Sequence, residues 1–388
     1  MTQRAQPSEL ALPAGIRSRY ADHVNGLRMH FLEAGFETSG RPCLLLLHGF
    51  PELAYCWRKV MPALANAGYH VVAPDQRGYG RTTGWDAGYD GDLRSFRMVN
   101  VVRDAIGLVS ALGYTSVEAV VGHDFGSPVA AWCALIRPDI FRSVVMMSAP
   151  FAGVSPLPPG PLPGPPCPWA ADPVHRELAN LPRPRKHYRL YYSTREANAD
   201  MQFAPQGLHD FLRGYYHFKS ADVPENQPFE LNGWSAGELA RMPEYYVMDL
   251  DKNMAETVAG HMPAAAAIAA NSWLPDQELA QCVTEFGRTG FQGGLQSYRC
   301  SASGAFDSEL QIWAGRTIDV PSVFISGLQD WGNHQVPGAL KAMRTRACTK
   351  MAGTYLIEGA GHWVQQEQPD QVARLLLEFL RDATSTRA

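Results

Sequence analysis

The sequence predicts an α/β fold, a mostly parallel sheet flanked by helices and interrupted by a long helical insertion. Three observations carry that expectation. Short apolar runs suited to buried strands alternate with helix-patterned segments over residues 1–150 and again over 316–388. Between these parts eight of the thirteen residues from 156 to 168 are proline, which fixes φ and removes backbone donors, so neither helix nor central strand can continue there. The stretch Val120-Val121-Gly122-His123-Asp124-Phe125-Gly126-Ser127 passes from strand to helix through a sharp turn. The expected organisation is a core in two parts, 1–150 and 316–388, with 151–315 forming a helical cap reached through a stiff proline-rich connector.

Each element has its own signal. Residues 16–23 and 27–34 alternate in polarity around Asn25-Gly26, which predicts a hairpin. Residues 43–47 are continuously apolar, as a strand buried on both faces would be, and end in His48-Gly49-Phe50-Pro51-Glu52. Residues 57–66 have helical spacing and stop near Gly68. A strand follows over 69–73, leading into the loop Pro74-Asp75-Gln76-Arg77-Gly78-Tyr79-Gly80, and a helix over 99–112 closes at Gly113. Residues 117–121 lead into the sharp turn, 127–136 form a helix of small residues, and 143–147 form the next strand. From about 170 to 315 the chain reads as mainly helical and unusually aromatic. Strands return over 321–326, before Gly327-Leu328-Gln329-Asp330-Trp331, and over 354–357, before Glu358-Gly359-Ala360-Gly361-His362-Trp363. A closing helix over 369–382 places Val372, Leu375, Leu376, Phe379 and Leu380 on one face.

Composition narrows the function classes. The 388 residues carry a formal net charge of -4, which gives no electrostatic reason to expect nucleic acid or an anionic membrane as partner. The seven cysteines are scattered without a Cys-x-x-Cys pair, so free thiols in a reducing compartment and no zinc site are expected. No basic start followed by a long apolar core opens the chain, and runs such as 43–47 and 264–270 are far too short to span a bilayer. A cytoplasmic protein without a membrane span is the expectation.

Asp124 is the centre of the chemistry. In a strand-turn-helix of this kind the middle residue is strained and its side chain stands clear of the sheet, while flanking glycines remove the Cβ atoms that would collide. Where the Gly-x-Ser-x-Gly form of the turn carries a serine, Gly122-His123-Asp124-Phe125-Gly126 carries a carboxylate. A carboxylate is already anionic at neutral pH and attacks saturated carbon bearing a leaving group, giving an alkyl ester that water must then hydrolyse. His362 is the expected base for that water, and Asp330 the acid that orients its ring. Asp319 precedes its strand and so lies at the wrong end, and no carboxylate follows the strand at 143–147. His48, Asp124, Asp330 and His362 each follow a strand at the carboxyl edge, where open parallel sheets bind ligands. Backbone N–H groups of Phe50 and Phe125 are the expected oxyanion donors, and losing one such donor costs about 3 to 4 kcal/mol.

At these residues the chain is similar to the epoxide hydrolases of the α/β-hydrolase fold. His48-Gly49-Phe50-Pro51-Glu52, Asp75-Gln76-Arg77-Gly78-Tyr79-Gly80, Gly122-His123-Asp124-Phe125-Gly126 and Gly361-His362-Trp363 resemble the family's motifs in the family's order, and the likeness covers nearly all of the chain from about residue 25. It implies two cap tyrosines that donate hydrogen bonds to the epoxide oxygen. His187-Tyr188-Arg189-Leu190-Tyr191-Tyr192 resembles the first segment and Gly290-Phe291-Gln292-Gly293-Gly294-Leu295-Gln296-Ser297-Tyr298-Arg299 the second, which assigns the roles to Tyr188 and Tyr298, with Tyr191 and Tyr192 as alternatives for the first. The resemblance implies conversion of an epoxide and water to a vicinal diol with no metal or organic cofactor. The expected partner is a small apolar or aromatic epoxide, and a homodimer is compatible with the sequence. Phe125, Trp331 and Trp363 adjoin the chemical positions and suggest an aromatic-tolerant pocket.

Two other readings share parts of this pattern. A haloalkane dehalogenase would use the same Asp124, His362 and Asp330, but resemblance to that family predicts tryptophan directly after the nucleophile, where this chain has Phe125. A non-catalytic ligand-binding homologue would keep the pocket and have no need of the intact set of reactive residues.

Overall fold

The central strands are apolar at every position because both faces of the sheet are covered. The computed structural model describes residues 9–154, 156–157 and 169–385. Most of the proline run expected as a connector, residues 158–168, lies outside the described residues, as does Cys167. The chain in order gives β1 (Ile16–Val24), β2 (Leu27–Ala34), β3 (Cys43–Leu47), β4 (His70–Pro74), β5 (Ala119–His123) and β6 (Val144–Met147). After these come β7 (Arg185–His187), β8 (Val247–Asp249), β9 (Ser322–Gly327) and β10 (Met351–Ile357). Eight of them form one sheet in the order β1-β2-β4-β3-β5-β6-β9-β10. The pairings of β2 with β1 and with β4 are antiparallel, and all others in this sheet are parallel. Asn25 and Gly26 have φ of 48° and 82°, the left-handed pair that a tight hairpin turn requires.

Alternation along the buried strands divides the core into two layers. Leu45, Leu47, Val120, Val144 and Phe324 face one side with residues of α2 (Met98–Ala111) and α3 (Gly126–Ile136). Leu44, Leu46, Val121, Val145 and Ile325 face the other, against α1 (Met61–Asn66) and the helix Pro369–Ser385, which buries Val372, Leu375, Leu376, Phe379 and Leu380 as its pattern requires. Each such side chain contributes about 1.5 to 3 kcal/mol on burial. The helix expected over 57–66 is α-helical only from Met61, after a 3-10 turn at Ala54–Trp57. Pro62 explains the difference, since it lacks an N–H to bond the carbonyl four residues back and its ring crowds that carbonyl, so it fits only in a first turn.

Residues 169–313 lie over the carboxyl edge of the sheet with their own hydrophobic cluster, into which Phe50, Tyr79, Trp331 and Trp363 of the core loops insert. This layer contains the helices Tyr188–Tyr192, Leu208–Phe218, Asp276–Thr289 and Gln292–Ser303, together with a small antiparallel sheet of β7 and β8 that the helical reading did not anticipate. Two arginines of the core loops reach into it. Arg58 pairs with Glu278, and Arg81 with Glu285 at 2.8 Å, both arginines being buried. No helix among the described residues is long and apolar enough to cross a membrane.

Candidate active site

The turn between β5 and α3 consists of Asp124 and Phe125 alone. Asp124 has φ of 50°, a conformation that L residues rarely hold. Close packing enforces it: a Cβ on Gly122 would sit 1.9 Å from the Gly126 carbonyl oxygen, and one on Gly126 would sit 2.4 Å from that of Leu47. The carboxylate projects off the sheet edge, with Oδ1 accepting a hydrogen bond from Phe50 N–H at 2.8 Å. Phe50 N–H therefore points at an oxygen of this carboxylate. Phe125 N–H, at the first turn of α3, makes no hydrogen bond to the carboxylate. Burial alone would raise the Asp124 carboxyl, but the nearness and charge of His362, then Lys219 and His123, hold it far below the usual carboxylate range.

His362 follows β10 and is buried. Its Nδ1 lies 3.1 Å from Asp330 Oδ1, and its Nε2 faces Asp124 Oδ2 at 3.4 Å without the alignment of a hydrogen bond. Asp330 is fixed by the Gly332 N–H at 2.7 Å and the Ser326 hydroxyl at 3.2 Å. The carboxylate thus holds the ring so that Nε2 is presented, unsatisfied, beside Asp124. Burial and the Lys219 ammonium push the imidazole toward neutrality, but Asp330 and Asp124 outweigh them and its pKa is raised. Asp319, set aside in the sequence, accepts from Thr317 and Thr349 hydroxyls in the segments that precede β9 and β10.

Tyrosines descend from the helical layer onto the same place. A cavity of about 370 Å³ is lined by Asp124, Phe125, Tyr188 and Tyr298, with Phe96, Met98, Trp132 and Leu310 among its apolar walls. Tyr188 Oη donates to Gln335 Oε1 at 3.2 Å, and the Tyr188 and Tyr298 rings are 6.0 Å apart. Burial, with the nearby Asp124 charge adding to it, raises both phenols, so they stay protonated at neutral pH. Tyr191 and Tyr192 do not line the cavity; their hydroxyls bond Asp200 at 2.9 Å and Tyr215 at 2.9 Å. The glycines before Tyr298 have a structural reason. A Cβ on Gly293 would lie 1.9 Å from the Gly78 carbonyl oxygen, so the helix Gln292–Ser303 can rest on the core loop only without one, and this lowers Tyr298 to the cavity.

Comparison with known proteins bears on the family and the fold. A family model described as the alpha/beta hydrolase fold matches residues 42–172. The chain is 33% identical to epoxide hydrolase A of Mycobacterium tuberculosis, over 92% of this chain and 95% of that protein. It is 30% identical to an epoxide hydrolase of Caballeronia sordidicola, covering 92% of each. The solved structure of an epoxide hydrolase from an endophytic Streptomyces superposes with a TM-score of 0.75 at 31% identity, covering 96% of this chain and 97% of that one. The chain belongs to the epoxide hydrolases of the α/β-hydrolase fold. Potato epoxide hydrolase I is a further structural relative of this hydrolase, with a TM-score of 0.70 at 28% identity, covering 95% of this chain and 99% of that one.

Around the chemistry this epoxide hydrolase family member has a supporting shell that sequence reasoning did not assign. Glu52 is fully buried and takes a hydrogen bond from His123 Nδ1 at 2.8 Å, while His123 Nε2 donates to the His362 carbonyl at 2.7 Å. Both residues stand in the quoted motifs, and a carboxylate and an imidazole flanking the turn were the available signal. Asp75 binds His30 Nδ1 at 2.7 Å and the N–H groups of Ala54 and Arg81, each at 2.9 Å; these partners hold it at about 2 against the cost of burial. Lys219, buried behind the triad, carried no local signal at all. His48 is buried and structural, with Nδ1 on the Gly49 carbonyl and Nε2 accepting from Gln76 N–H. Of the three aromatic residues expected at the pocket, Phe125 lines it, whereas Trp331 and Trp363 turn into the hydrophobic cluster because their rings pack on Phe229 and Tyr216.

Proposed function

We propose that the protein converts an epoxide and water to a vicinal diol through a covalent ester on Asp124, with residues 151–315 acting as a cap that brings Tyr188 and Tyr298 over the nucleophile. The observation that carries this reading is the convergence of an anionic carboxylate and two protonated phenols on one cavity, with a carboxylate-oriented imidazole 3.4 Å from the first. In the first half, an Asp124 oxygen attacks a ring carbon and the carbon–oxygen bond breaks toward the epoxide oxygen, which takes a proton from a tyrosine. Neutralising Asp124 removes one of the charges that had kept both phenols from ionising, so the proton becomes easier to give as the new bond forms. In the second half, water loses a proton to His362 Nε2 and attacks the ester carbonyl. The oxyanion then sits where Phe50 N–H points, and Phe125 N–H is the second donor the reading assigns to it. Collapse expels the diol and restores the carboxylate.

The apolar stretch of the wall, Phe96, Met98, Phe125 and Leu310, favours apolar or aromatic epoxides. An aryl epoxide and a haloalkane offered to the purified protein separate this reading from dehalogenation, with diol expected and halide without diol contradicting it. A single turnover in heavy-oxygen water tests the intermediate. The first diol should carry no heavy oxygen and the label should remain on Asp124. Label in that first diol would overturn the ester mechanism.

A further inference from the structure

Among the described residues Lys219 is a buried cation beside the reactive residues that the mechanism leaves unused. It caps the helix Leu208–Phe218, is 4% exposed, and its carbonyl accepts the His362 N–H at 2.9 Å. Its ammonium lies over four rings, with centroids at 5.1 Å for Tyr246, 5.3 Å for Trp363, 5.5 Å for Tyr215 and 5.7 Å for Tyr245. The cage is itself tied down. Tyr245 Oη donates to Asn226, whose amide bonds the carbonyls of Phe218 and Ser220, and Trp363 Nε1 donates to Tyr216 O. No carboxylate among the described residues comes within ion-pair distance of the ammonium, although Asp124, Asp330 and Glu52 all act on it through space.

We propose that Lys219 is a positioning residue for the second half-reaction, an immobile ammonium that leaves His362 neutral once Asp124 has become an ester. The inference rests on the ester mechanism proposed above. The charged groups facing His362 are Asp124, Asp330 and Lys219, with His123 5.1 Å away ring to ring and engaged with Glu52 in a pair of its own. The phenols of the cage are neutral. In the free enzyme two carboxylates oppose one ammonium, and the His362 imidazole is biased toward its protonated form. Alkylation removes the Asp124 charge, so Asp330 and Lys219 balance. The ammonium cannot follow the lost charge, because the rings fix it; burial lowers its pKa, and Asp330 and Glu52 go on opposing that after Asp124 is neutral.

Proton accounting then closes without exchange with solvent. Ring opening takes a proton from a tyrosine and leaves a phenolate. The imidazolium, no longer held by two carboxylates, passes its proton on to that phenolate, which restores the neutral phenol and a basic Nε2. Hydrolysis of the ester returns one proton to Nε2 and regenerates the Asp124 carboxylate, so epoxide plus water becomes diol with every group as it began.

The test is single-turnover kinetics with excess enzyme and styrene oxide as probe, following ester formation and ester decay separately from pH 5 to 9 in wild type, Lys219→Met and Lys219→Arg. Without the ammonium, the acidic limb of ester decay should move up by about one pH unit, making decay at pH 6 roughly tenfold slower, while ester formation changes less than threefold. Lys219→Arg should restore the limb. If Lys219→Met does not fold, Lys219→Gln carries the same expectation. The limb unmoved in a folded neutral variant, or moved equally in Lys219→Arg, overturns the inference alone. Absence of any ester in the wild type overturns the mechanism beneath it.

Discussion

The sheet edge and the helical layer above it reach the same cavity with opposite chemistry. From the edge come charges: Asp124, Asp330 and His362 stand on turns whose backbone is fixed by strands on one side and hydrogen bonds on the other. From the layer come neutral phenols, held by ring packing among Tyr188, Tyr192, Tyr246 and Tyr298. A carboxylate must have its lone pairs aimed, which directional backbone donors accomplish. A proton donor that meets substrates of varied outline needs only to be kept un-ionised and close, which apolar surroundings accomplish. The division predicts that the edge governs making and breaking the ester, and the layer only its making.

The sharpest way to break this division is His362→Ala. We expect turnover to fall about 10³- to 10⁴-fold with ester formation nearly intact, so that the alkylated protein accumulates and is seen as added mass on Asp124. Equal loss of both steps would merge the two roles. Next in size, Tyr188→Phe and Tyr298→Phe should each slow ester formation about 10- to 100-fold and leave ester decay within a few-fold, as measured by rapid mixing. Slower decay in either variant would place the layer in hydrolysis as well. The smallest effect concerns a charge at the same edge that serves stability. Asp75 is held at about 2, below its ordinary value, so its contribution is complete above about pH 4 and is lost as pH falls through 2. Asp75→Asn should therefore cost about 2 kcal/mol in urea unfolding at pH 7, and the gap from wild type should narrow between pH 4 and pH 2.

Legibility followed the same boundary. Strands β3 to β6, β9 and β10 fall within three residues of their expected places because continuous apolar runs and the glycines around them are local signals. Asp124 was legible because Gly122 and Gly126 announce the collision they avoid. Pro62 was in plain view, yet its effect on the helix over 57–66 was outweighed by the periodicity around it. The pairing of β7 with β8 joins two segments of only three residues each, Arg185-Lys186-His187 and Val247-Met248-Asp249, and no nearby pattern encodes it. Lys219 is the extreme case, since its surroundings are drawn from positions 215, 245, 246 and 363. The polarity of a lysine argues for the surface until those rings are known to enclose it.

Glu278 and Glu285 are seven residues apart on one helix, and so on one side of it, where they receive Arg58 and Arg81 from beneath. Lifting that helix would strand buried guanidinium groups at a cost of several kcal/mol apiece. These pairs tie the roof to the core. The cavity below, with Phe96 and Leu310 in its wall, is thereby given its outline by core and roof together.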